Sequence, residues 1–310
     1  MSRFEYEANE GDQEKVNKPL QFENFSIESQ SLFQRESFDG FRAELAKSIT
    51  SNLQTSYSLL LGTSNNKGYS YQLGPSYQSL SKNTLILARV NDEGTVSGRF
   101  SHCFGHRLEG RVSLSSSLSD ENKNMSEVSI DYNGEESCYS LKTAYQGIFL
   151  LNGLFSRLIT NKLQLGGELT WITANNSSIM SVGSRYCSGR NVFFNQITRQ
   201  PDFSSPGRIL ANVHSFRSSF HRKVSDRLSL ASELEISIPH YDSTLRFGYE
   251  YLFKTARIQG MIDTCGKVSL QCLDNKGFGI SAAIDYIRSD YKFGFMMHFF
   301  PNEKDNKSEI

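Results

Sequence analysis

From residue 40 to residue 300 the chain alternates between apolar and polar positions, with no helical interval long enough to cover a sheet. Successive side chains of a strand point to opposite faces, so such a ribbon has one greasy face and one wet face. The last strand shows it well. In YKFGFMMHFF, Phe293, Phe295, Met297 and Phe299 lie on one side, with Lys292, Gly294, Met296 and His298 on the other. In LSLASELEISI, Leu228, Leu230, Leu234, Ile236 and Ile238 oppose Ser229, Glu233, Glu235 and Ser237. About nineteen such segments can be counted, each taking roughly 14 residues with its turn, which suits tilted membrane-crossing strands.

A soluble sandwich has shorter strands and hides its apolar faces between two sheets. Here nearly every strand has a second face bearing charges, and no set of helices is available to cover the first. A closed barrel satisfies every backbone group and leaves no edge, as burial in hydrocarbon demands. The pattern therefore predicts an all-β membrane barrel over residues 40–300, with lipid outside and a wet lumen within. A soluble β protein that binds a ligand is the reading from another class. Extraction with carbonate separates the two, because an integral barrel stays with the membrane.

Composition excludes several alternatives. The formal net charge is zero and the pI about 7.0, which gives no argument for nucleic acid as a partner. A mean hydropathy of −0.43 suits a soluble chain, yet it also suits a barrel in which only alternate residues face lipid. The longest apolar run, residues 147–155, is half the length of a spanning helix and carries Asn152. Five cysteines, an odd number without CxxC spacing, fit free thiols better than a disulfide scaffold. The first nineteen residues are charged and acidic without an apolar core, which fits neither a secretory signal nor a mitochondrial presequence. An exported bacterial porin is thereby disfavoured.

The flanks read differently from the ribbon. Residues 1–20 form a flexible polar arm and residues 301–310 a polar tail. Between residues 21 and 34, Phe22, Phe25, Leu32 and Phe33 recur at helical spacing among Glu23, Glu28 and Ser29. That predicts one short amphipathic helix, either laid on a core or lining the inside of a barrel. Residues 148–160 alternate less clearly and read as a strand buried on both sides. The region from 191 to 220 is the least legible; it contains Pro201 and Pro206, and residues 200–207 read as an extended loop.

No enzyme constellation emerges, and no cofactor is implied. His102, Cys103 and His106 have metal-like spacing, but two of them fall in a strand and a glycine intervenes. Gly277-Phe278-Gly279 lacks the strand-turn-helix setting of a nucleotide loop. Parity instead places a set of acids on the wet face: Glu44, Glu109, Asp131, Glu168, Glu233, Glu235, Glu250, Asp263 and Asp285. Arg42, Arg111, Lys142, Arg246 and Lys292 are interleaved with them. These charges fit a solvated wall of internal ion pairs, or a conduit whose many weak contacts admit a basic polypeptide without trapping it.

Four passages resemble one known family, the 40-kilodalton channel subunit of the mitochondrial outer-membrane protein translocase, the TOM complex. PLQFENFSIESQSLF followed by FDGFRAELAKSITSNLQTSYSLLLG looks like the family's inner helix leading into its first two strands. LQLGGELTW looks like a mid-barrel strand, and SSFHRKVSDRLSLASELEIS like its aromatic-basic segment before a leucine-rich strand. KFGFMMHFF fits the mitochondrial sorting signal through Lys292, Gly294, Met297 and Phe299. Residues 200–207 and the short N-terminal arm depart from the common pattern. The resemblance implies a nineteen-stranded barrel with parallel pairing of first and last strands and a helix near 21–34 inside the lumen. It implies a channel of the mitochondrial outer membrane for precursor polypeptides and their presequences, with the lumen acids as candidate contacts. The implied partners are receptor subunits, small helical subunits, a second barrel in a dimer, and the sorting-and-assembly machinery. A metabolite porin of the voltage-dependent anion channel type shares the fold, but its N-terminal helix and Gly-Leu-Lys segment are not evident here.

Overall fold

The computed structural model describes residues 18–33, 39–62, 68–118, 124–202, 212–239 and 241–299. Expectations for residues 1–17, for Gln34, for residues 203–207 of the loop and for the tail at 301–310 lie outside the described residues. The strands are β1 (Gly40–Ser48), β2 (Leu53–Leu61), β3 (Tyr69–Gln78), β4 (Thr84–Asn91), β5 (Thr95–Phe104), β6 (Leu108–Ser117) and β7 (Met125–Asn133). They continue as β8 (Ser137–Tyr145), β9 (Phe149–Thr160), β10 (Leu163–Ile172), β11 (Ser177–Ser188), β12 (Asn191–Pro201) and β13 (Asn212–Lys223). The last six are β14 (Leu228–Ile238), β15 (Asp242–Leu252), β16 (Ala256–Asp263), β17 (Lys267–Asp274), β18 (Phe278–Asp285) and β19 (Asp290–Phe299).

Each strand pairs antiparallel with the next, and β19 pairs parallel with β1 to close a single 19-stranded sheet. An odd count requires this: in an up-and-down meander the first and last of nineteen strands run the same way. The seam is in register from Gly40 opposite Gly294 to Leu45 opposite Phe299. Closure leaves no unpaired strand edge.

One face of the sheet carries large exposed apolar side chains, among them Phe41, Leu45, Leu165, Trp171, Leu230, Phe293 and Phe295. The opposite face receives the N-terminal segment, which packs against β9 and β10 at its start and against β13 to β16 further on. A segment touching strands so far apart on a closed sheet lies inside it. The single helix expected over residues 21–34 is in fact two pieces, a 3₁₀ turn at Phe22–Asn24 and α1 (Ile27–Phe33). Phe22, Phe25, Leu154 and Phe194, with Leu20 against them, form the one buried apolar cluster among the described residues.

That cluster explains where alternation fails in the sequence. On β9 the inward residues include Leu150, Leu154 and Leu158, in register with inward positions of β8 and β10. Leu154 lies against the N-terminal segment, so β9 is apolar on both faces. The pattern of β12 is blurred likewise by inward Phe194, and that of β13 by inward Val213. β4 is obscured by Leu85 and Leu87, which share a face with Arg89.

Candidate functional site

The lumen is a candidate site built from a fixed insert and a charged wall. The insert is held first through its backbone. The Gln164 side chain donates to the Leu20 carbonyl at 2.6 Å and accepts from the Leu20 N–H at 3.3 Å. The Ser156 hydroxyl donates to the same carbonyl at 2.5 Å. Further along, the Arg185 guanidinium donates to the Phe25 carbonyl at 2.7 Å and to both oxygens of Glu28. The Ser29 and Ser219 hydroxyls lie 3.1 Å apart, and Lys142 pairs with Glu23. Side chains of β8, β9, β10, β11 and β13 thus satisfy backbone groups or charges that the short, irregular segment leaves open.

Glycines in the wall make the seats. A Cβ on Gly166 would stand 2.7 Å from the Phe22 ring, and one on Gly183 would stand 3.0 Å from it. A Cβ on Gly248 would come within 2.9 Å of the Phe33 ring. All three point inward, so the barrel thins itself where aromatic rings of the insert approach.

Every acid named from parity faces the lumen side, but they differ in what they can touch. Glu233 is 1% exposed and ion-pairs with Arg217 at 2.7 Å and Arg246 at 3.0 Å. Arg246 also reaches Asp263 at 3.5 Å and Glu235 at 3.9 Å, so Glu233, Glu235 and Asp263 converge on one guanidinium. Asp131 is fully covered, accepts a hydrogen bond from Ser140, and lies 3.6 Å from Arg111. Arg111 chelates Glu109 as well, at 2.7 and 3.0 Å. Glu44 pairs with Arg42 at 2.6 Å and lies 2.9 Å from the His298 ring across the parallel seam. Glu168 accepts from Asn152 at 2.7 Å, Glu250 accepts from Gln259 and pairs with Arg257, and Asp285 caps the turn before β19 through the Ile287 and Arg288 N–H groups. The side chains of Glu235, Glu44 and Glu109 keep 41, 26 and 24% exposure.

Sequence reasoning missed Arg185 and Arg217, which lie in or beside the least legible region, and Arg89 and Arg99. The lumen glycines also gave no signal, since a glycine in a strand carries no hint of which ring will sit over it. His102 and Cys103 fall on opposite faces. His102 bonds the Thr84 hydroxyl at 2.8 Å and lies between the Phe100 and Phe104 rings. Of the four sorting-signal positions, Lys292 and Gly294 face inward and Met297 and Phe299 outward, from the register of β19 with β18 and β1.

A closed sheet with an apolar exterior and a charged interior is the wall of a β-barrel channel. The chain belongs to the eukaryotic porin family, whose pattern matches residues 18–294, the insert and almost the whole barrel. It is similar to the probable mitochondrial import receptor subunit TOM40-2 of Arabidopsis thaliana, 24% identical over 91% of this chain and 90% of that one. The mitochondrial import receptor subunit TOM40 homolog 2 of Drosophila melanogaster is 21% identical over 70% of this chain and 63% of its own length. A TOM40 homolog of Xenopus tropicalis is 19% identical over 82% of this chain and 74% of its own length.

Proposed function

We propose that this chain is a protein-conducting channel of the mitochondrial outer membrane, passing precursor polypeptides through its lumen. The observation that carries the reading is the likeness to the Arabidopsis import subunit over nine-tenths of both chains, laid over a closed barrel whose insert is fixed to the inner wall. Such a channel needs no cofactor or energy source of its own. It offers a wettable wall with dispersed charges, so that a chain meets many weak contacts and no deep trap.

Within that reading, the lumen acids are contacts for basic presequences, and burial divides them. Asp131, Glu233 and Asp263 are too covered to meet a passing chain and instead hold the arginines in place. Glu44, Glu109, Glu168, Glu235 and Asp285 are the members left to face cargo. The β19 signal, Lys292, Gly294, Met297 and Phe299, is the segment for the sorting-and-assembly machinery before the seam forms. Receptor subunits, small helical subunits and a second barrel are the proposed neighbours on the outer face.

Reconstitution into planar bilayers tests the channel reading. Cation preference with transient block by presequence peptides supports it. Anion preference without peptide block would turn the assignment to a metabolite porin.

A further inference from the structure

One part of the inner wall is built unlike the rest. On β13 to β16, Arg217 and Arg246 are committed to Glu233, and on β6 Arg111 is committed to Glu109. On β4 and β5, Arg89 and Arg99 are both exposed on the lumen side; neither is held in a close ion pair among the described residues, and Arg99 feels the Glu109 charge only at longer range. Their placement is fixed by register: Arg89 lies opposite Ser97, and Arg99 opposite Leu87. The two are therefore diagonal neighbours on adjacent strands, about 7–8 Å apart at Cα. They border a recess of about 280 Å³ whose rim includes the hydroxyls of Ser97, Ser113 and Ser115, with Glu127 on its far side.

We propose that Arg89 and Arg99 form a carboxylate-binding station that engages acidic stretches of a polypeptide in transit. This rests on the conduit reading and deepens it: the channel has a cationic wall for acidic segments besides its acids for basic ones. Two guanidiniums offer ten N–H donors in planar forks that match carboxylate oxygens. Glu109, the acid nearest in charge to Arg99, is itself chelated by Arg111, so the donors of Arg89 and Arg99 remain available to whatever passes. The serine hydroxyls add neutral donors and acceptors, and Glu127 limits how long an anion is held, by repelling it from the far rim. Two exposed contacts of this kind are weak individually, which is what transit requires.

The full-length protein in a planar bilayer tests the station with a glutamate-rich peptide, a lysine- and arginine-rich peptide, and inorganic phosphate. R89Q/R99Q should shorten dwell times of the acidic peptide roughly three- to ten-fold and leave those of the basic peptide unchanged or longer. R89K/R99K, which keeps both charges, should retain most of the wild-type dwell, and E127Q should lengthen it. The E127Q arm and the lysine variant keep the test decisive if R89Q/R99Q fails to insert. Unchanged acidic-peptide dwell in R89Q/R99Q overturns the station while leaving the conduit standing. Sensitivity of phosphate alone to the variant, with peptide dwell unaffected, makes the pair a small-anion site and also overturns it. A wild-type channel blocked by neither peptide removes the conduit and the station together.

Discussion

Gln164 grips Leu20 by both backbone groups, donating from its amide nitrogen to the carbonyl and accepting at its amide oxygen from the N–H. This is the pairing one strand residue makes with another, supplied here by a side chain to a segment outside the strand ladder. It fixes the point at which the chain meets the lumen wall before its 3₁₀ turn. Replacing Gln164 by Leu keeps the bulk and deletes both bonds, at a cost of about 1–3 kcal/mol. The expected result is a lower thermal midpoint and faster amide hydrogen exchange across residues 20–25. An N-terminal segment that stays as protected as in the wild type would show that the aromatic cluster alone holds it.

The helical half of the insert depends on Gly248 in the same way. The three atoms nearest a methyl group there all belong to side chains, the Phe33 ring at 2.9 and 3.3 Å and the Leu32 Cβ at 3.6 Å. Gly248→Ala should destabilise the barrel by about 1–3 kcal/mol through overpacking. Phe33→Ala should cost stability by leaving the seat empty. Their combination should cost less than the sum, because each removes the reason the other hurts. Additive losses in thermal unfolding of the four proteins would mean that ring and glycine do not press on each other.

Stability and cargo contact should separate between two acids on one strand. Glu233→Gln strands two guanidiniums that are about a third exposed, so roughly 2–4 kcal/mol should be lost. Glu235, more open and 3.9 Å from Arg246, should cost within about 0.5 kcal/mol when changed to Gln. Presequence crosslinking should respond in the opposite order, weakened by Glu235→Gln and altered by Glu233→Gln only as far as folding is. Crosslinking untouched by Glu235→Gln would remove that residue from the proposed path.

How far the sequence could be read depended on what each inner face had to meet. Where the inner residues meet water or each other, as on β6 with Glu109, Arg111 and Ser113, period two is clean and the outward face is plain. Where they meet the insert, as at Leu154 and Phe194, both faces are apolar and the period disappears. On β4, Leu85 and Leu87 have the same effect without the insert, and Arg89 was overlooked with them. Pairing across distance was beyond reach as well: Glu28 and Arg185 are 157 positions apart, and nothing local to either names the other. Parity could place an acid on the lumen side but not say whether it would be covered, which is why Asp131 and Glu235 looked alike.

The parallel seam turns on Gly40. Its φ of +85° lies in the left-handed region, and a Cβ there would stand 2.0 Å from the Leu61 carbonyl oxygen. Any side chain is thus excluded twice, by conformation and by space. Directly across the seam is Gly294, and four residues on, Glu44 lies opposite His298. Gly40→Val should leave β2 to β19 able to pair in sequence but prevent β1 from seating between β19 and β2. The expected outcome is a chain that reaches the membrane and fails to gain the heat-resistant, compact migration of a closed barrel. Gly62→Ala is the matched control: its φ is +78°, yet a Cβ there meets only the Gly40 Cα at 3.3 Å, so the strain is of the same kind with far less steric conflict. Full closure of Gly40→Val would mean that the seam tolerates displacement of the Leu61 carbonyl, and that parallel pairing is secured further along, between Arg42 and Leu45 and their partners on β19.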